Sequence, residues 1–114
     1  MMRAARKDAN HNEIADYFIA QGCSVGDVSQ VKRLCDIVVG YKGLNELVEI
    51  KDGSKPPSAQ KLTEGEAIFH KGWLGTITVI TSIEDAAKLI VIMRAKSNAL
   101  RVAGIIHTVW RDRE

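Results

Sequence analysis

At 114 residues the chain is sized for one domain with a real core, and its 46% hydrophobic and 26% charged content is ordinary for a globular protein. A net charge of +2 neither demands nor excludes a nucleic-acid partner, because local clustering matters more than the total. The apolar stretches are too short and interrupted to span a membrane, and the polar, charged N-terminus has no leader pattern. Cys23 and Cys35 lack metal-ligand spacing and fit free thiols in a reducing cytoplasm, where the chain is expected.

In chain order, residues 10–21 read as a short amphipathic helix with Ile14, Tyr17 and Phe18 on one face, ended by Gly22. With Asn10 as N-cap, Glu13 stands at the third helical position, where a carboxylate reaches back in a capping box. Asp8 and Asn10 read as caps. Residues 25–31 read as a short strand or a loop. Residues 35–41 and 44–51, rich in Ile, Val, Leu and Tyr, flank Lys42-Gly43 and predict a β-hairpin with a tight turn. Asp52-Gly-Ser-Lys-Pro-Pro57 is a loop by composition. Thr63-Glu-Gly-Glu66 predicts a second capping box, opening a helix over 64–71. The β-branched run 76–81 predicts a buried strand, and Ser82-Ile-Glu-Asp85 caps a helix over 83–94. The strands 44–51 and 76–81, joined through that helix, are expected to be parallel with a right-handed crossover. Residues 97–110 form a second apolar helix candidate, with Leu100, Val102, Ile105, Ile106, Val109 and Trp110 spread around it and Gly104 weakening it. This divides the chain into a core over 1–94 and a helical extension of the same domain over 95–114.

The hairpin carries the chemistry. If the loop is the two residues Lys42-Gly43, Tyr41 faces Leu44 and Asp36 lies directly opposite Glu49, with Cβ atoms roughly 4.5–5.5 Å apart. Lys51 shares a strand face with Glu49. Charged residues rarely sit in sequence that otherwise reads as buried strand. Two carboxylates this close repel by about 3–4 kcal/mol at an effective dielectric near 20. Lys51 offsets part of that. A hard divalent cation offsets more, and Mg²⁺ is typically held by one or two carboxylates plus substrate phosphate. Such an ion activates water and stabilises charge on phosphorus, and Lys51 can position the water or neutralise the phosphate. The competing interpretation is an edge-strand Glu49–Lys51 salt bridge with Asp36 in a turn.

Asp36…Glu49-Ile50-Lys51 resembles the core motif of the PD-(D/E)XK nucleases. The wider run is similar to small phage and prophage proteins related to the virus-type replication-repair nucleases. The matching stretches are Asp8-Ala-Asn10 with Glu13-Ile14, Cys35-Asp36 through Gly43, Val48-Glu-Ile-Lys-Asp-Gly53 and Pro56-Pro-Ser-Ala-Gln60, within roughly residues 6–90. Cys35 stands where the family usually has Pro, residues 30–34 are less Gly-rich than the family pattern, and the tail after about Ala95 has no counterpart. The resemblance implies a restriction-endonuclease-like α/β core, a mixed sheet flanked by helices. It implies Asp36, Glu49 and Lys51 as catalytic residues, with Gln60 as a helix-borne Gln beside the Lys. It implies Mg²⁺, with Mn²⁺ as a substitute, bound at Asp36, Glu49, Ile50 and a further acid from the first helix, Glu13, which is equally well explained as a cap.

Basic residues cluster at the ends (Arg3, Arg6, Lys7; Arg94, Lys96, Arg101, Arg111, Arg113) and at Lys32, Arg33 and Lys55. Lys32, Arg33, Lys55, Arg6 and Lys7 are the candidate DNA contacts, and solvated surface charge is the ordinary alternative. His70 reads as a surface or half-buried residue. The leading expectation is a metal-dependent DNA endonuclease, structure-specific for branched or four-way-junction DNA and homodimeric, because one site makes one nick. The alternatives are a non-catalytic nucleic-acid-binding accessory on the same fold and an enzyme acting on RNA.

Overall fold

The computed structural model describes residues 8–105. Helix α1 (His11–Ala20) leads into three strands, β1 (Ser24–Asp27), β2 (Ile37–Tyr41) and β3 (Leu44–Ile50). A 3-10 turn (Pro57–Ala59), helix α2 (Glu64–Gly72), strand β4 (Ile77–Ile80) and helix α3 (Ile83–Val102) follow. The sheet order is β1-β2-β3-β4, with β1, β2 and β3 antiparallel and β4 parallel to β3. This is an α/β fold with a mixed sheet flanked by helices, compatible with a restriction-endonuclease-like core. Among the described residues no helix is long and apolar enough to cross a membrane.

The hairpin has the expected register: Tyr41 pairs with Leu44 and Ile37 with Val48. Lys42 and Gly43 both have positive φ, 50° and 84°, the requirement of the two-residue turn whose twist matches the strands. The turn is also tied from outside, since the Ser97 hydroxyl on α3 donates to the Lys42 carbonyl at 2.6 Å.

Strand alternation divides the sheet into two unlike faces. Ile37, Val39, Tyr41, Val48, Ile50 and Ile80 form the apolar face, buried against Ile14 and Phe18 of α1 and Ala86, Leu89, Ile90 and Met93 of α3. Asp36, Val38, Leu47, Glu49 and Lys51 lie on the other face by the same alternation. Helix α2, whose predicted capping box between Thr63 and Glu66 is present, buries none of its residues.

Two expectations change, at Asn10 with Glu13 and at residues 97–110. Asn10 is the N-cap of α1 but its side chain makes no capping bond, so Glu13 belongs to no capping box. Its amide instead donates to the carbonyls of Lys51 (3.1 Å) and Thr81 (3.3 Å), joining the ends of β3 and β4. The segment 25–31 contributes strand β1 through Asp27 and then turns away. The second helix candidate at 97–110 is, through Val102, the continuation of α3, so the division at 94/95 falls inside one helix. Nothing in Arg94-Ala-Lys-Ser97 breaks a helix, and buried Ser97 marks a docking contact rather than an end. Gly104 closes the helix at φ +76°, while Ile106, Val109 and Trp110 lie outside the described residues.

Because the turn requires positive φ at both central positions, Gly43→Ala should lower stability by about 1–2 kcal/mol, and Lys42→Gly should be neutral or stabilising. Urea unfolding of the two variants beside the parent chain measures both.

Candidate functional site

The paired register of β2 and β3 ends at Ile37–Val48, and just beyond it the Asp36 and Glu49 carboxyls are hydrogen-bonded to each other. The Asp36 N–H donates to the Val48 carbonyl (3.1 Å), and its carboxylate accepts the Ile50 N–H at 2.7 Å. Backbone pairing thus fixes the Asp36 side chain where the strand begins. Glu49 is only 6% exposed, and Lys51 is buried at the end of β3. The neighbouring loop is pulled tight there: a Cβ on Gly53 would stand 2.5 Å from the Thr81 carbonyl oxygen.

Helix α2 lies over this face with a matched spacing. Residues two apart on a strand are about 6.8 Å apart, and residues four apart on a helix stack about 6 Å apart along its axis. Glu66 and His70 therefore meet Lys51 and Glu49 as two rungs. Lys51 Nζ donates to Glu66 Oε1 at 2.8 Å, and His70 Nε2 stands 3.8 Å from Glu49 Oε1. The same Glu66 oxygen accepts the Thr63 N–H at 2.8 Å, so one carboxylate caps the helix and docks it. A cleft of about 240 Å³ opens between Asp36, Glu49, Glu66, Thr63, Cys35 and Arg33.

Electrostatics follow from this packing. Burial, then the hydrogen bond and negative charge of Asp36, push the Glu49 carboxyl up to about 9, with Glu66 adding and Lys51 subtracting. Folding therefore favours the protonated Glu49 carboxyl, the usual outcome for a buried acid beside a second carboxyl group. Burial works against the charge of Lys51, but Glu66 and Glu49 outweigh it and its pKa is raised. Burial likewise opposes ionised Glu66, but Lys51 and the Thr63 N–H outweigh it and hold its pKa below the usual range. Burial raises the Cys35 thiol to about 11, and its Sγ donates to the Ile37 carbonyl, so it is an inert filler beside Asp36.

Asp36, Glu49 and Lys51 are brought together as the sequence implies. Ile50 lies between them with its side chain in the core, so only its main chain is available to the site. Gln60 is not beside Lys51: it ends the 3-10 turn, and its amide donates to the carbonyls of Lys55 (2.6 Å) and Gly53 (3.3 Å), closing the loop. Glu13 is exposed and lines another cleft, with Asn10, Asp52, Ser82 and Glu84. The third carboxylate at the site is Glu66. The Glu66/His70 spacing on one helix face was a usable signal for both residues, but the capping box alone accounted for Glu66.

Among the basic candidates, Lys32 is exposed and Arg33 lines the cleft with a left-handed backbone, φ 66°. That conformation costs a residue with a Cβ about 1 kcal/mol and is enriched at functional sites. Lys55 pairs with Asp8 at 3.6 Å. Arg94, Lys96 and Arg101 are engaged by Tyr41, Glu46 and Asn98. Arg3, Arg6, Lys7, Arg111 and Arg113 lie outside the described residues.

Among the described residues no group of three or more His, Cys, Asp or Glu side chains is arranged to hold a metal ion. The donor set is smaller, the adjacent carboxyls of Asp36 and Glu49, with Glu66 occupied by Lys51 and Thr63. That set fits an ion such as Mg²⁺, which keeps several waters and takes one or two carboxylates, and does not suit an all-protein cage. None of the known family models, curated proteins or solved structures gives a match to this chain, and the functional interpretation rests on the site's own geometry.

The raised Glu49 carboxyl has a stability consequence in the metal-free protein. The folded chain keeps a proton that the unfolded chain loses above about 4.5, so stability is greatest below that pH and falls as pH rises towards 9. Glu49→Gln removes the dependence. The variant should exceed the parent in stability at pH 8–9 by on the order of 1–2 kcal/mol and match it near pH 4. Denaturant melts in EDTA across that range measure the difference, and parallel curves would refute the burial argument.

Proposed function

We propose that this chain is a divalent-metal-dependent endonuclease that hydrolyses DNA phosphodiester bonds. The observation that carries the proposal is the facing pair Asp36–Glu49 with Lys51 on the same sheet face, at an open cleft bordered by Arg33. The likeness of Asp36…Glu49-Ile50-Lys51 to the PD-(D/E)XK motif supports it independently of the geometry.

Asp36 and Glu49 are the residues to hold Mg²⁺, with Mn²⁺ as a substitute and the main chain of Ile50 close by. When bound, the cation supplies Lewis acidity, activating a water and offsetting charge on the phosphoryl oxygens. Asp36 is pre-positioned by the Ile50 N–H, so little reorganisation is needed to present its carboxylate. Lys51 neutralises the charge that builds on the attacked phosphate, and Glu66 aims its ammonium. Arg33 grips a neighbouring phosphate of the DNA backbone at the cleft rim, and Lys32 adds to the local positive charge. We extend the proposal to branched or four-way-junction DNA and to a homodimer, since cutting both strands needs two sites related by a two-fold axis.

One observation favours the second reading, a non-catalytic nucleic-acid-binding accessory. The charge of Lys51 is already matched by Glu66, leaving less of it for a phosphate. Cleavage separates the two. Labelled linear duplex, single-stranded, flap and four-way-junction DNA, with an RNA counterpart, should be cut with Mg²⁺ or Mn²⁺ and not with EDTA. Lys51→Ala and Glu49→Gln should each reduce the rate by at least about 100-fold. No cutting of any substrate, with binding unchanged in Lys51→Ala, gives first place to the accessory. Light scattering on the protein with and without junction DNA tests the dimer, and a monomer in both removes the two-fold part.

Arg33→Gly removes the guanidinium while relieving the backbone. It should weaken DNA binding across sequences and lower the slope of log affinity against log salt by about 1, with folding stability equal to or above the parent. Fluorescence anisotropy at a series of salt concentrations, beside a thermal melt, reads both effects.

A further inference from the structure

His70 stands beside Glu49 but is no part of the motif. It extends from α2 one turn beyond Glu66, is 14% exposed at the side chain, and directs Nε2 towards Glu49. Nε2 is buried and has no hydrogen-bond partner, and it stands 3.8 Å from Glu49 Oε1, just beyond bonding distance. A buried polar nitrogen left unsatisfied costs about 1–3 kcal/mol. Such an atom makes sense if it finds its partner in another state of the site. The groups facing it there are Glu49, with Asp36 behind, and Lys51 and Glu66 on the next rung.

We propose that His70 is a positioning residue for Glu49: its Nε2–H donates to Glu49 Oε1 when Glu49 faces a bound divalent cation, holding the other carboxylate oxygen towards the ion. The proposal rests on the metal-dependent reading above and adds a residue to it. Less than 1 Å of side-chain movement closes the gap between Nε2 and Glu49 Oε1. Asp36 is held by a backbone N–H from the start, whereas Glu49 has no backbone donor to orient it; His70 supplies that role from the helix. Residues that orient a metal-binding carboxylate typically change metal affinity by 10–100-fold.

The test is Mn²⁺ binding to the intact protein without DNA, read from the loss of the free-ion EPR signal and by calorimetry. Wild type is compared with His70→Ala, His70→Phe, His70→Gln and Glu49→Gln. His70→Phe keeps the ring packing and removes the nitrogen, while His70→Gln places an amide N–H near the same point. The expected result is binding weakened about 10-fold or more in His70→Ala and His70→Phe, near wild type in His70→Gln, and lost in Glu49→Gln. Wild-type affinity in a folded His70→Phe protein overturns the role of His70 while leaving the metal site intact. Absence of Mn²⁺ binding in wild type overturns both the role and the metal reading.

Discussion

The arrangement depends on a two-residue turn. Strand side chains alternate between faces, so a slip of one residue in the β2–β3 pairing would move Glu49 and Lys51 away from Asp36 and drive Ile50 out of the core. Lys42 and Gly43 fix the register by their positive φ, and Ser97 holds the turn from α3. The apolar layer and the polar site are two readouts of one register. Ile37, Val39 and Tyr41 lock it through burial on one side, and Asp36 uses it on the other. The core therefore stabilises a placement of charges that would not assemble by themselves.

Those charges are balanced in pairs. Burial and the neighbouring Asp36 hold the Glu49 carboxyl well above the usual carboxylate range. Lys51 and Glu66 form a closed ion pair that keeps both members charged despite partial burial. The second pair joins opposite charges, whereas the first brings two acids together.

What was legible in the sequence was what depends on neighbours along the chain. The turn, the alternation of strands and the face shared by Glu49 and Lys51 are local, and so is the capping box at Thr63. Helix boundaries followed from caps and Gly residues, except where α3 ran on past residue 94 through Ser97, which is buried and bonded to the Lys42 carbonyl. The contribution of α2 was not legible. Glu66 and His70 reach the site only because that helix crosses back over the sheet, and their docking depends on the loop from Asp52 to Leu62. Gln60 resembled a site residue by its sequence distance from Lys51, but its backbone forms a tight turn and the side chain closes its own loop. Glu13 was placed by analogy with an acid on a first helix, and the helix meets the sheet through Asn10 instead.

The way α2 is attached has a further consequence. Ile14, Phe18 and Met93 anchor the other two helices by removing apolar surface from water, whereas α2 buries no residue and leaves Ile68 in solvent. Its hold on the sheet is an ion pair and a histidine contact, and partly exposed ion pairs contribute at most about 1 kcal/mol. Helix α2 therefore belongs to the part of the molecule that opens first, well below the free energy of global unfolding. Under the proposed function, a polyanion at the cleft would compete with Glu66 for Lys51 and so loosen the same contact that keeps the helix down.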